Sequence, residues 1–208
     1  MIYEDDENIL SRAQTVFAHM LDCAVYLYGY KLDTYYKLFL DSEYARRFES
    51  GESSVICGMS GHELAHAVIN DHEKIPMKDN SYSVDRSVEY WVGWSLAYYQ
   101  WHSSRSFRYI NEFAPTHEIS SMYTKYHEMD IRQFADELDD RETAYRKGAF
   151  KRLRIYAGLT QKELAEKAGI PLRSIQQYEQ GQKELSHARA DVVVRLSKAM
   201  YCRIEDII

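Results

Sequence analysis

"TQKELAEKAGIPLRSIQQYEQG", running from Thr160 to Gly181, decides the fold of the last third of the chain. Thr160 followed three positions later by Glu163 is a capping box: the hydroxyl accepts from the Glu163 amide while the carboxylate accepts from the Thr160 amide, so a helix starts here. Leu164 and Ala165 face inward, and the small Ala165 lets a second helix cross closely. Gly169 supplies the left-handed residue that ends the first helix. Ile170 anchors the turn, and "PLRSIQQYEQ" forms the next helix before Gly181 ends it. Ile175 and Tyr178, three apart, bury on one side of that second helix. Arg173, Gln176, Gln177 and Gln180 share the opposite, exposed side.

Two short helices joined by a glycine turn make a helix-turn-helix unit. Its exposed side suits hydrogen bonding to base edges, because an arginine fork matches O6 and N7 of guanine and a glutamine pairs bidentately with adenine. The charge agrees. From Arg146 onward 13 basic residues stand against 7 acidic ones, net +6, whereas residues 1–145 carry 13 basic and 25 acidic residues, net −12. A basic module attached to an acidic one points to an anionic partner for the tail only.

The 208 residues suffice for two modest domains, each with its own core. An apolar share of 45%, 18 tyrosines, 3 prolines and 9 glycines describe a folded, helix-leaning chain. No apolar run is long enough to cross a bilayer, and the acidic start "MIYEDDEN" lacks the basic and apolar regions of a secretion signal, so a cytoplasmic protein is expected. Cys23, Cys57 and Cys202, odd in number and far apart, suit reduced thiols within the core.

Upstream of the tail there is no sustained period-2 alternation, and amphipathic patterns place helices over about 8–28, 32–40, 60–70, 84–102, 106–113 and 116–138, the last broken near His127. In "SVEYWVGWSLAYYQW", Trp91, Trp94, Tyr98 and Trp101 form one stripe, the expected core face of a helix. The charged stretch "DDRETAYRKG" (Asp139–Gly148) marks a boundary, giving expected domains 1–145 and 146–208.

"LTQKELAEKAG", "SIQQYEQG", the apolar helix "ADVVVRLSKAM" and the terminal "IEDII" resemble the XRE/Cro-type domain of lambdoid phage repressors over about residues 147–208. The resemblance implies that Gln161 touches the sugar-phosphate backbone. It implies Leu172, Arg173 and Gln177 as the main base readers with Ser174 and Gln176 beside them, and Lys183 near a phosphate. Arg154 and Glu179 match a family pair that bridges helices. Two positions depart from the pattern: Pro171 stands where a serine or threonine usually opens the recognition helix, and Leu172 replaces a common polar reader.

A rival motif lies at "GHELAHAVINDH", where His62, Glu63 and His66 spell H-E-x-x-H, the helix-borne zinc signature with glutamate as general base. His72 falls where metzincins place a third ligand, and "SSMY" at Ser120 faintly matches their Met-turn. The glycine that lets the metzincin chain leave its helix is here Ile69, a β-branched residue that resists positive φ. If the helix continues, His72 lies roughly 15 Å along the axis from His62 and cannot close the site. A gluzincin-like arrangement would draw on Glu89 instead. The segments "GMSGHELAHAVI", "SVEYWVGWSLAYYQW" and "SMYTKYHEMDIRQF" are similar to bacterial helix-turn-helix proteins often encoded in toxin–antitoxin modules, and that similarity makes the zinc signature an accident.

The expectation is an all-α, two-domain transcriptional regulator without cofactor, metal or catalytic residue. It binds double-stranded DNA as a homodimer on a pseudo-palindromic operator, does not enter a membrane, and acts as an autoregulating antitoxin whose N-terminal domain binds a toxin protein. The alternatives are a zinc peptidase fused to a DNA-binding domain, with His62, His66 and Glu89 or His72 as ligands, and a protein-interaction module that binds no DNA.

Overall fold

The computed structural model describes residues 7–79 and 86–207, and every regular element among them is helical. The chain divides into two compact units, Met1–Asp139 and Asp140–Ile208. The expected fold class, all-α, is therefore the observed one.

In the first unit, α1 (Glu7–Tyr26) is the central element, flanked chiefly by α6 (Val88–Ser103) and α5 (Gly61–His72). Two glycines allow these close crossings. A Cβ on Gly93 of α6 would meet the Ala18 Cα at 2.7 Å and the Phe17 carbonyl oxygen at 2.8 Å. One on Gly61 of α5 would meet the Met20 nitrogen and the Val16 carbonyl oxygen, each at 2.7 Å. Between these contacts α1 buries Phe17, Ala18, Met20 and Leu21 completely.

Phe17 also organises the surrounding short helices α2 (Leu32–Asp41), α3 (Glu43–Glu49), which the single turn α4 (Ser53–Ile56) follows, and α7 (Phe107–Phe113). Its ring stacks on Phe107 at 4.7 Å and meets Phe39 edge-on at 5.1 Å, with Phe48 of α3 closing the group. Such aromatic pairs add about 0.5–1.5 kcal/mol each beyond simple burial. Glu49, at the end of α3, accepts from the Phe107 amide at 2.6 Å and so caps α7. Helices α3 and α4 are absent from the sequence reading; α4, a single turn, is too short to show a period.

The aromatic stripe of α6 is a correction. Trp91 is buried, but Trp94, Tyr98 and Trp101 are only half-buried, and the fully enclosed side is Val92, Ser95, Leu96 and Tyr99. A helix apolar nearly all round cannot be oriented by its largest side chains; the small Gly93 and Ala97 set the close face instead. The expected start of this helix at Val84 lies outside the described residues, and the described helix begins at Val88 with Ser87 as cap, its hydroxyl accepting from the Tyr90 amide at 3.0 Å. The same hydroxyl donates to the buried Asp22 of α1.

The chain breaks between α8 (Thr116–Tyr126) and α9 (Ile131–Tyr156), as the sequence suggests near His127. Asp130 stops the break from healing, since its carboxylate accepts from the Arg132 amide at 2.9 Å. The charged stretch Asp139–Gly148 is helical throughout, as a helical linker would be: α9 runs through it without interruption. Of the three cysteines only Cys23 is buried; Cys57 is exposed and Cys202 half-buried, so the expectation of three core thiols is corrected, and all three are free.

Candidate nucleic-acid interface

The second unit is built on a small core of Phe150, Leu164, Ile170, Ile175, Leu185, Leu196, Met200 and Ile207. It joins the end of α9 to α10 (Gln161–Ala168), α11 (Leu172–Glu179) and α12 (Ala190–Met200). The capping box at α10 is formed in both directions: the Glu163 amide donates to the Thr160 hydroxyl at 3.2 Å and the Thr160 amide donates to the Glu163 carboxylate at 2.7 Å. These bonds hold the Glu163 carboxyl below its ordinary pKa. Gly169 takes φ +62°, the left-handed conformation that ends α10.

Arg195, one more free charge as far as composition shows, completes that turn. From α12 it donates through Nη1 to the Gly169 carbonyl at 2.9 Å and to the Ala168 carbonyl at 3.3 Å, meeting acceptors that a helix C-terminus leaves open. Nothing in the local sequence separates this arginine from a phosphate-binding one.

Across the other side of the motif, Arg154 of α9 grips Glu179 at the end of α11, with Nε to Oε1 at 2.5 Å and Nη2 to Oε2 at 3.3 Å, and donates through Nη1 to the Leu159 carbonyl at 2.5 Å. The two side chains are 11% and 5% exposed. Gln161 joins them, its amide nitrogen donating to Glu179 at 2.7 Å. Burial alone would raise the Glu179 pKa, but the bonds from Arg154 and Gln161 bring it below the ordinary value. The Arg154–Glu179 bridge read from the sequence is thus present, and Gln161 carries a structural task beside the phosphate contact expected of it.

With Ile175 fully buried and the Tyr178 ring packed edge-on to Phe150 at 6.1 Å, α11 is fixed about its axis. Its outer side then presents Leu172 and Arg173, both exposed, with Ser174, Gln176 and Gln177 half-buried and Gln180 exposed. Lys183 is exposed in the following turn, whose backbone is tied down by the Lys183 and Gln182 amides donating to the Gln177 carbonyl. The seven residues expected at the interface therefore gather on and around one helix. Pro171 caps α11 without a side-chain bond, and its carbonyl accepts from the Ser174 amide at 2.8 Å and the Ile175 amide at 3.3 Å instead.

Residues 150–207 match the helix-turn-helix family. The C-terminal unit is thus a helix-turn-helix DNA-binding domain of the XRE kind, and the chain carries a DNA-binding regulator module. No curated protein and no solved structure matches the chain. Among the described residues no helix is long and apolar enough to cross a membrane.

The H-E-x-x-H residues have other engagements. Helix α5 stays regular through Ile69 to His72, and Glu63 is the return half of its capping box, its carboxylate accepting from the Ser60 amide at 2.7 Å. Burial, reinforced by neighbouring His66, holds His62 below the ordinary imidazole pKa, and its Nε2 lies 3.0 Å from the Tyr28 hydroxyl. His66 donates to the Ile75 carbonyl at 2.9 Å and His72 to the Leu38 carbonyl at 3.3 Å. Glu89 accepts from Tyr26 at 2.9 Å. Among the described residues no three histidine, cysteine or acidic side chains gather as a metal ion would require.

Proposed function

We propose that the protein is a sequence-specific transcriptional regulator that binds a pseudo-palindromic operator as a homodimer. The observation that carries this reading is the outer face of α11, polar and cationic around a single exposed leucine, on a unit that matches the helix-turn-helix family. In a major groove Arg173 and Gln177, four residues apart, project side by side to base edges, with Leu172, Ser174 and Gln176 flanking them. Gln161 and Lys183 meet the sugar-phosphate backbone and fix the register. One such helix touches too few base pairs for specificity, so two half-sites about one helical turn apart are required. The test is selection by the full-length chain from a pool of random duplexes. Enrichment of an inverted repeat with that spacing is the expected result, and recovery of no sequence preference would overturn the reading.

The first unit is assigned to a protein partner. The −12 net charge of residues 1–145, nearly all of it on this unit, repels phosphate and complements a basic protein face, as an antitoxin's partner would offer. Co-expression with the product of the adjacent gene should yield a stable complex that weakens as salt rises. A neighbour that never co-purifies would remove the antitoxin role and leave the regulator.

A further inference from the structure

We propose that Leu172 reads the C5-methyl group of a thymine, so that one base pair in each half-site is recognised by apolar contact. The inference rests on the assignment of α11 to the major groove and names what one position of that helix reads.

Leu172 is the first residue of α11, three positions before Ile175, so periodicity alone would direct it inward. It is instead 39% exposed while Ile175 is completely enclosed. The core needs only one aliphatic residue from this helix, and Leu172 stands one turn beyond the core's edge. Gln176, four residues on, shares its side of the helix and the exposed Arg173 stands beside it, so Leu172 is an apolar spot next to polar and cationic groups. The backbone beneath it is fixed, because the Pro171 carbonyl ties down the first turn and Pro171 has φ −54° and ψ 133°. The Leu172 Cα is therefore held in place, with its aliphatic side chain partly exposed at the tip of the helix that the charge pattern directs to DNA. A major groove lined by phosphates and base edges offers one aliphatic group, the thymine methyl. Cytosine and adenine edges offer nothing that would compensate for covering a leucine there, and a purely polar reader would do better at a guanine.

The same chemistry predicts a response to cytosine methylation, since 5-methylcytosine carries its methyl group at the equivalent carbon. Burying one methyl group against Leu172 is worth about four-fold in affinity per half-site, the equivalent of ~0.8 kcal/mol. Both half-sites together give about fifteen-fold.

The experiment uses the full-length chain and the duplex it selects, with each thymine replaced in turn by deoxyuridine, which removes only the methyl. The expected result is one symmetric position at which the substitution in both half-sites weakens wild-type binding about fifteen-fold. Leu172→Ala should bind the thymine and deoxyuridine duplexes equally, which separates the contact from any effect of the base on DNA shape. At the same position a cytosine duplex should bind wild type more weakly than its 5-methylcytosine counterpart, by about four-fold per half-site. The proposal is overturned if no thymine in the operator responds, or if Leu172→Ala keeps the full discrimination while its circular dichroism matches wild type. Absence of any preferred duplex would overturn the regulator assignment itself, which is a different outcome.

Discussion

At the scale of single residues, polar bonds between neighbours in sequence are legible from spacing, whereas a bond between distant residues such as Arg154 and Glu179 is legible only through the family resemblance. The Thr160–Glu163 box is local, so its two bonds follow from spacing alone. The Ser60–Glu63 box is equally local, yet the zinc motif that shares Glu63 competes with it for the same letters. Arg195 joins α12 to the end of α10 across 26 residues, and no local pattern reveals it. Glu179 gives a test of such a distant bond. Its carboxylate receives Arg154 and Gln161, and its folded pKa is depressed, so its contribution is present above the unfolded carboxylate value and is lost as pH falls through the folded one. Stability of the helix-turn-helix unit should therefore decline as pH drops below about 4. Glu179→Gln should flatten that decline and, by leaving Arg154 buried without its counter-charge, cost about 3 kcal/mol at neutral pH. Urea titrations at several pH values check both; an unchanged acid limb would show that Glu179 is not the group responsible.

At the scale of elements, most helices of ten residues or more can be read within a few residues of their ends, because the period of 3.6 has room to appear, but the reading ends α9 near 138 where the helix runs on to Tyr156 through a charged stretch with no apolar stripe to follow. The single-turn α4 stays hidden because it leaves that period no room, and the orientation of α6 is misleading in the sequence because bulk does not report burial. Gly93 decides that orientation, and two glycines that both sit within helices should respond oppositely to alanine. Gly93→Ala places a methyl against the backbone of Phe17 and Ala18, which cannot retreat without separating α1 from α6. The expected loss is about 1–3 kcal/mol. Gly148 lies in the interior of α9, where an added Cβ would meet only the Arg152 guanidinium, at 2.8 Å, and that group can swing away from its seat over the Tyr145 ring. Gly148→Ala should therefore stabilise α9 by up to about 1 kcal/mol through helix propensity, less what the displaced cation–π interaction contributed. Thermal melts of the two variants should move in opposite directions, and a stabilised Gly93→Ala protein would contradict the close crossing of α1 and α6.

At the scale of the whole molecule, the sequence separates an acidic unit from a basic one, and that contrast makes the DNA-binding side measurable through salt. Not every cation of the tail is free for phosphate. Arg154 and Arg195 are held by protein acceptors, Arg189 pairs with Asp191 at 3.0 Å, and Arg203 pairs with Asp206 at 3.1 Å. Arg173 and Lys183 have no such partner among the described residues, and the geometry gives them different tasks. Lys183, in the turn after α11, is placed for a phosphate: Lys183→Ala should weaken operator and scrambled duplex alike and make the slope of log K against log salt shallower by about 0.9 for each phosphate no longer neutralised. Arg173, on the outer side of α11, is placed for a base. Arg173→Ala should cost about 1–3 kcal/mol on the operator and relax the preference at one symmetric base pair, with little change on scrambled DNA. Titrations of both variants against both duplexes at several salt concentrations separate the two roles. Equal weakening of both duplexes by Arg173→Ala would make Arg173 a phosphate contact and would turn the reading face of α11 away from the side assigned to it.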